Sequence, residues 1–304
     1  MGQALYTDQD CSVGFKPKTK LIQSITKKVN HCFHNLEGLS YLTPIDKRDF
    51  YWFRSTYQHA LEKIDTKIAH GTLIPLDLKK FPAECYFPNY TLNATIYTGS
   101  FDPFQMTHLA TILHHLAYDH GGSAVVFVVP EGAYNPAKPM RSNYEYRYKL
   151  LSLQLKRIFY PLIVPLDIGK DADTITIWKR FIDMLPCSTL NLTHLLGSDV
   201  LPYAISMLPE DLVIWKEEAE KKCVKFSYRA FILKRSEDSS IDSELKQLDS
   251  MGIEYQYHQK VLDTPSSTDF RTNNVFSIVF PTKEILSHLE ILFRYRLHKP
   301  WTLQ

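Results

Sequence analysis

Residues 93–118 read NATIYTGSFDPFQMTHLATILHHLAY. The first six residues have the short apolar character of a strand. From His108 onward, apolar positions recur with the spacing of a helix, through residue 120. Between the two periods lies a loop with Gly99, Pro103 and a histidine where the helix begins. A strand that feeds a helix through a glycine-containing loop is the opening half of a strand–helix–strand unit.

Working outward, the same alternation continues. GGSAVVFVVP (121–130) is an apolar strand behind a Gly-Gly turn, NYEYRYKLLSLQLKRI (143–158) a helix, and PLIVPLDI (161–168) a strand. TITIWKRFIDML (174–185) reads as a helix, TLNLTHLLGSD (189–199) as a strand ending in Gly-Ser-Asp, and KFSYRAFILKR (225–235) as another strand. A polar stretch (234–252) reads as a loop and a solvated helix. IEYQYHQK (253–260) reads as a strand, and TKEILSHLEILFRY (282–295) as a last helix. Apolar strands alternating with amphipathic helices predict an α/β fold: a Rossmann-like, open, mostly parallel sheet with helices on both faces.

Residues 1–92 differ. Leu21, Ile22, Ile25, Val29 and Phe33 follow a helical period, as do Trp52, Phe53, Tyr57, Ala60, Leu61, Ile64 and Ile68. The expected division is a helical extension over 1–92 and an α/β domain over 93–304, with the apolar face of the extension packed on that domain.

The chain has 304 residues, 44% hydrophobic and 22% charged, enough for a sizeable core. A net charge of +2 gives no reason to expect nucleic acid or a membrane surface as partner. The five cysteines are scattered and form no C-x-x-C pair, which argues against a disulfide framework or a zinc site and for reduced, cytoplasmic thiols. No apolar run approaches the roughly 18 residues of a membrane span. MGQALY begins like a myristoylation signal but has Tyr6 where Ser or Thr is expected.

Open parallel sheets bind ligands beyond the carboxyl ends of their strands, so residues just past strand ends are the informative ones. Gly99 and Ser100 can bring backbone N–H groups against a phosphate, or simply form a turn. His108, in a first helical turn, can donate to a phosphoryl oxygen, or cap and pack. Lys138 and Arg141, in NPAKPMR, are basic loop residues that either meet an anion or face solvent. Gly197 and Asp199, in GSD, can approach a nucleoside; Asp199 is equally a helix cap. In PSSTDFR, Ser266, Ser267 or Thr268 can cap a helix and hold phosphate, with Arg271 one turn on. Neither the dinucleotide fingerprint nor the P-loop is present.

Taken together and in this order, these segments resemble the nucleotidyltransferases of the HxGH superfamily, in particular the nicotinate and nicotinamide mononucleotide adenylyltransferases. Their first motif, G-x-F-[DN]-P with His a few residues later, stands here as GSFDPFQMTH. Their last, I-S-S-T-x-x-R, stands as PSSTDFR. The likeness spans roughly residues 93–297. Bacterial members read H-x-G-H where this chain reads Gln105-Met106-Thr107-His108; eukaryotic members likewise keep only the second histidine.

The resemblance implies transfer of AMP from ATP to a mononucleotide phosphate, with release of pyrophosphate, in NAD biosynthesis. It implies His108, Lys138 and Arg271 as the charge-stabilising residues. Gly99, Ser100, Phe101, Asp102, Gln105, Gly197, Asp199, Ser266, Ser267 and Thr268 would line the nucleotide site. Mg²⁺ would accompany ATP, held mainly by its phosphates. Tyr203, Trp178 and Trp215 are the aromatic candidates for an acceptor pocket. The alternatives are another phosphorylated acceptor, or a non-catalytic nucleotide-binding or interaction protein. Residues 1–92 would then offer a surface to a second copy or to another protein.

Overall fold

The computed structural model describes residues 19–35, 44–76, 90–123, 125–135, 141–184, 189–234, 241–259, 279–282 and 284–285. Six strands form one sheet: β1 (Thr91–Gly99), β2 (Val125–Pro130), β3 (Ile163–Pro165), β4 (Thr189–Gly197), β5 (Lys225–Leu233) and β6 (Glu254–His258). They lie in the order β3-β2-β1-β4-β5-β6, and every neighbouring pair is parallel. The chain winds outward from β1 to β3, then returns to place β4 beside β1. The carboxyl ends of β1 and β4 therefore flank the switch point where such sheets open a crevice.

Period-two alternation divides the strand side chains between two apolar cores. Val126 and Val128 of β2 face one, while Val125, Phe127 and Val129 face the other. All six β2 residues are buried, as expected of a strand covered on both sides. The second core belongs to α5 (Thr174–Met184), α6 (Leu201–Lys221) and α7 (Asp242–Ser250).

The first core contains α3 (Met106–Tyr118) and α4 (Tyr144–Leu155), joined by α1 (Lys20–His34) and α2 (Pro44–Ala69). Nearly every α3 side chain from Met106 to Ala117 is buried, because this helix is covered by the sheet on one side and by α2 on the other. The apolar faces expected for the N-terminal helices pack as anticipated through Ile22, Ile25, Val29, Phe33, Phe53, Tyr57, Leu61 and Ile64. Trp52 does not join them and stays 45% exposed.

Two elements differ from expectation. The strand expected over 161–168 narrows to Ile163–Pro165. Helix α6 was not anticipated, because Pro202 and Pro209 interrupt its sequence; Pro202 occupies a first-turn position that needs no donor, and Pro209 sits inside the helix. Its buried face is nonetheless regular: Leu201, Ile205, Leu208, Leu212, Trp215 and Ala219. Of the expected last helix, only Thr282, Glu284 and Ile285 fall among the described residues.

Candidate functional site

Strand β1 ends at Gly99, whose carbonyl accepts from the Glu131 N–H at 2.9 Å, so the loops after β1 and β2 leave the sheet side by side. A Cβ at Gly99 would stand 3.1 Å from the Phe101 ring. Glycine is thus accounted for by the close seat of that ring, whatever else approaches the backbone. Phe101 is buried and takes φ +42°, left-handed backbone that costs a non-glycine residue about 1–2 kcal/mol. Its ring is held against Tyr97, Phe104 and His108 at centroid distances of 5.2, 5.4 and 5.1 Å. Asp102 is buried, and its Oδ2 accepts the Ser142 N–H at 2.8 Å, tying this loop to the entrance of α4.

Gln105 caps α3, and the cap is reciprocal. The Gln105 side chain accepts from the backbone of the third helical residue, His108, and the Gln105 N–H donates to His108 Nδ1 at 2.9 Å. An imidazole nitrogen that accepts a hydrogen bond carries no proton, so neutral His108 keeps its proton on Nε2. The ring, packed among Tyr97, Phe101 and Phe104, presents an N–H donor in the first turn of a helix, where the backbone field favours an anion.

The run Gln105-Met106-Thr107 also faces inward. Met106 is fully buried and its carbonyl accepts from Tyr57 OH of α2 at 2.8 Å. The Thr107 carbonyl accepts from Thr111 Oγ1 at 2.9 Å. This segment is therefore the joint between the strand-end loop and the N-terminal helices.

Two residues that sequence reasoning passed over hold the loop from behind. Arg147 of α4 is buried, and its guanidinium donates to three carbonyls: Ser100 after β1, Glu131 after β2 at 2.7 Å, and Ser142 before α4 at 2.9 Å. Burial, with Arg141 nearby, lowers its pKa to about 10, so it stays charged at neutral pH. Gln154, also buried, donates from Nε2 to the Phe104 carbonyl at 3.1 Å. The signal was available: both are polar residues at positions of the 143–158 helix that share a face with Leu150, Leu151 and Leu155.

The neighbouring strand ends are equally tight. Arg141 donates to the Ala133 carbonyl, and Tyr144 OH donates to Asp167 Oδ1 at 2.8 Å. Across the switch point, Gly197 ends β4 and the Ser198 N–H donates to the Leu233 carbonyl at 2.9 Å. Asp199 comes next, exposed, in the turn that leads into α6.

The described residues thus bring Gly99, Ser100, Phe101, Asp102, Gln105 and His108 together in one loop and first helical turn. Gly197 and Asp199 stand at the end of the adjoining strand. Lys138, Ser266, Ser267, Thr268 and Arg271 lie outside the described residues. Of the aromatic candidates, Trp178 and Trp215 are buried in the second core, stacked 4.1 Å apart at 16°, while Tyr203 at the start of α6 is 75% exposed. Among the described residues, no three His, Cys, Asp or Glu side chains are grouped so as to hold a metal ion, and no helix is long and apolar enough to cross a membrane.

The solved structures similar to this chain include two of one protein. One is Plasmodium falciparum nicotinic acid mononucleotide adenylyltransferase complexed with APC, at 17% identity and a TM-score of 0.45, covering 68% of this chain and 98% of that chain. The other is the same Plasmodium falciparum protein complexed with NaAD, at 16% identity and a TM-score of 0.46, over the same shares. No family model matches the sequence, and no curated protein does.

Proposed function

We propose that the protein is an adenylyltransferase that moves AMP from ATP to the phosphate of nicotinate or nicotinamide mononucleotide. The observation that carries this reading is His108: a helix-N-terminal imidazole with its proton on Nε2, beside the carboxyl end of β1, the strand that pairs with β4. A phosphate oxygen of the mononucleotide attacks the α-phosphorus of ATP. The bond from that phosphorus to the bridging oxygen breaks, and pyrophosphate leaves. No protein nucleophile is required; positioning and charge stabilisation do the work.

In this reading His108 Nε2–H donates to a non-bridging α-phosphate oxygen as charge grows there. Lys138 and Arg271 neutralise phosphates, and Ser266, Ser267 and Thr268 hold the departing pyrophosphate. The backbone of Gly99, Ser100 and Phe101 lies against the nucleotide, Gln105 fixes the imidazole, and Asp199 and Gly197 border the nucleoside from β4. Mg²⁺ arrives with ATP as part of the substrate, bound by phosphate oxygens and water.

A second reading keeps the reaction and changes the acceptor to another phosphorylated compound. The placement of Trp178 and Trp215 in the core favours it, because neither indole is left to stack on a pyridine ring.

The test is to incubate the pure protein with Mg-ATP and either pyridine mononucleotide, monitoring pyrophosphate and dinucleotide. Dinucleotide with one of the two is the expected result. ATP binding without product from either overturns the first reading, and pyrophosphate with a third acceptor supports the second. His108→Ala is expected to lower turnover by about 10²-fold or more.

A further inference from the structure

Three amide groups run in series into the ring of His108. The Phe280 N–H donates to Gln154 Oε1 at 3.1 Å. Gln154 Nε2–H donates to the Phe104 carbonyl at 3.1 Å. The peptide that carries this carbonyl also carries the Gln105 N–H, which donates to His108 Nδ1 at 2.9 Å. In a trans peptide the C=O and N–H point in opposite directions, so a donor on the Phe104 oxygen aims the Gln105 N–H away from α4, toward α3. Gln154 cannot reverse its amide without opposing two carbonyl-type oxygens on one side and two N–H groups on the other. The direction of the whole series is therefore fixed.

We infer that Gln154 is a positioning residue for His108: through the Phe104–Gln105 peptide it holds the imidazole in the Nε2-protonated form and couples it to the backbone at Phe280. Every bond in the series donates in the same sense, so each polarises the next and the last strengthens the Nε2–H as a donor. The relay is dry at its start and its middle, since Phe280 and Gln154 are fully buried. Phe280 also packs edge-on against Phe33 and Phe159, at 5.8 and 5.7 Å, which fixes the point where the series begins. It lies nine residues after Arg271 in the chain. The relay thus ties the backbone at Phe280 to the GSFDPFQMTH segment.

The effect on turnover rests on the reading of His108 given under the proposed reaction; the tautomer does not. The experiment uses the full-length protein with ¹⁵N-labelled histidine and backbone. Long-range ¹H–¹⁵N correlation reports which ring nitrogen of His108 is bare, and an N–H···N through-bond coupling reports the link from Gln105. The wild type is expected to show bare Nδ1 with the coupling present. Gln154→Met keeps the volume and removes both polar groups. It is expected to mix the tautomers, abolish the coupling, and speed exchange of the Gln105 amide proton by at least about tenfold.

Gln154→Leu likewise removes both polar groups, with a branched apolar side chain in their place. It is expected to do the same and is read if the Met variant does not fold. Tyr57→Phe removes a buried hydrogen bond to the neighbouring Met106 carbonyl and serves as the control: the tautomer is expected to stay unchanged. In the adenylyl-transfer assay, Gln154→Met is expected to lower kcat by about tenfold with KM for ATP little changed.

A wild-type ring protonated on Nδ1 overturns the inference. So does a folded Gln154 variant with tautomer and coupling intact, or a Tyr57→Phe variant that scrambles the tautomer equally. A correct tautomer response in a protein that transfers no adenylyl group leaves the relay standing and removes the proposed reaction instead.

Discussion

The Arg147 guanidinium donates to the Glu131 carbonyl at 2.7 Å, and the same group reaches the Ser100 carbonyl, so one side chain closes the gap between the ends of β1 and β2. Its third bond, to the Ser142 carbonyl, brings in the start of α4. A planar fork with several donors can satisfy three carbonyls at once; an ammonium cannot match that geometry. Arg147→Met leaves three part-buried carbonyls without this donor and is expected to cost about 2–4 kcal/mol in urea unfolding. Arg147→Lys is expected to recover less than half of that loss. Full recovery by Lys would show that charge alone matters.

Gly169 meets the β2 end from the other side. A Cβ there would stand 1.9 Å from the Pro130 carbonyl oxygen, a backbone atom that cannot swing aside. Gly71, by contrast, has φ +70° and open space around a would-be Cβ. Gly169→Ala is therefore expected to destabilise by about 3 kcal/mol or more through overpacking, and Gly71→Ala by about 1 kcal/mol through backbone strain alone. Thermal unfolding of the two variants checks the order. A mild Gly169→Ala would mean that the loops after β2 and β3 separate easily.

These contacts mark how far the sequence could be read. The alternation of strands and helices was legible because buried parallel strands such as VVFVVP are apolar throughout and their helices are striped. The His108 loop was legible as a strand-to-helix junction. What was not legible is the part made by long-range hydrogen bonds. Arg147 and Gln154 share a helix face with Leu150, Leu151 and Leu155, which marks them as inward-facing, but only the fold reveals the carbonyls, 47 and 50 residues away, that they meet. Helix α6 was hidden by its prolines, although Leu201, Ile205, Leu208, Leu212 and Trp215 keep a seven-residue beat across them. The run Gln105-Met106-Thr107 has its explanation in Tyr57, on a helix about 50 residues earlier.

Acid should weaken the protein before most carboxylates titrate. His115 is fully buried with Nε2 at 2.7 Å from Thr95 Oγ1, and burial lowers its pKa from 6.5 to about 4, against the pull of Asp119. The folded state thus keeps a neutral ring while the unfolded chain takes up a proton below pH 6.5. The stability that this provides is complete above pH 6.5 and is lost as pH falls toward 4, by up to about 3 kcal/mol. Burial lowers His194 likewise, to about 3, and adds to the slope. Urea midpoints between pH 7 and pH 4 are expected to fall, and His115→Gln, which cannot titrate, is expected to flatten the decline. An unchanged slope in that variant would place the acid sensitivity elsewhere.

Asp211 acts in the opposite direction and can be separated from His115, since it lies on the α6 side of the sheet. Its side chain is buried, Oδ1 has no hydrogen-bond partner among the described residues, and Trp215 lies one turn later on the same helix face. Burial, reinforced by Asp173 and Glu210, raises its pKa from 3.8 to about 6. Because the folded pKa lies above the unfolded one, folding favours the protonated acid. The penalty is absent below pH 3.8, grows between 3.8 and 6, and is complete above 6. Asp211→Asn keeps the shape and removes the charge, and is expected to stabilise the protein by about 1–3 kcal/mol at pH 7.5. At pH 3.5 the gain should vanish, because both forms are then neutral. Thermal unfolding at the two pH values reads the difference directly. An equal gain at both would assign the effect to hydrogen bonding by the amide, and a loss at pH 7.5 would mean that the carboxylate is stabilised where it stands.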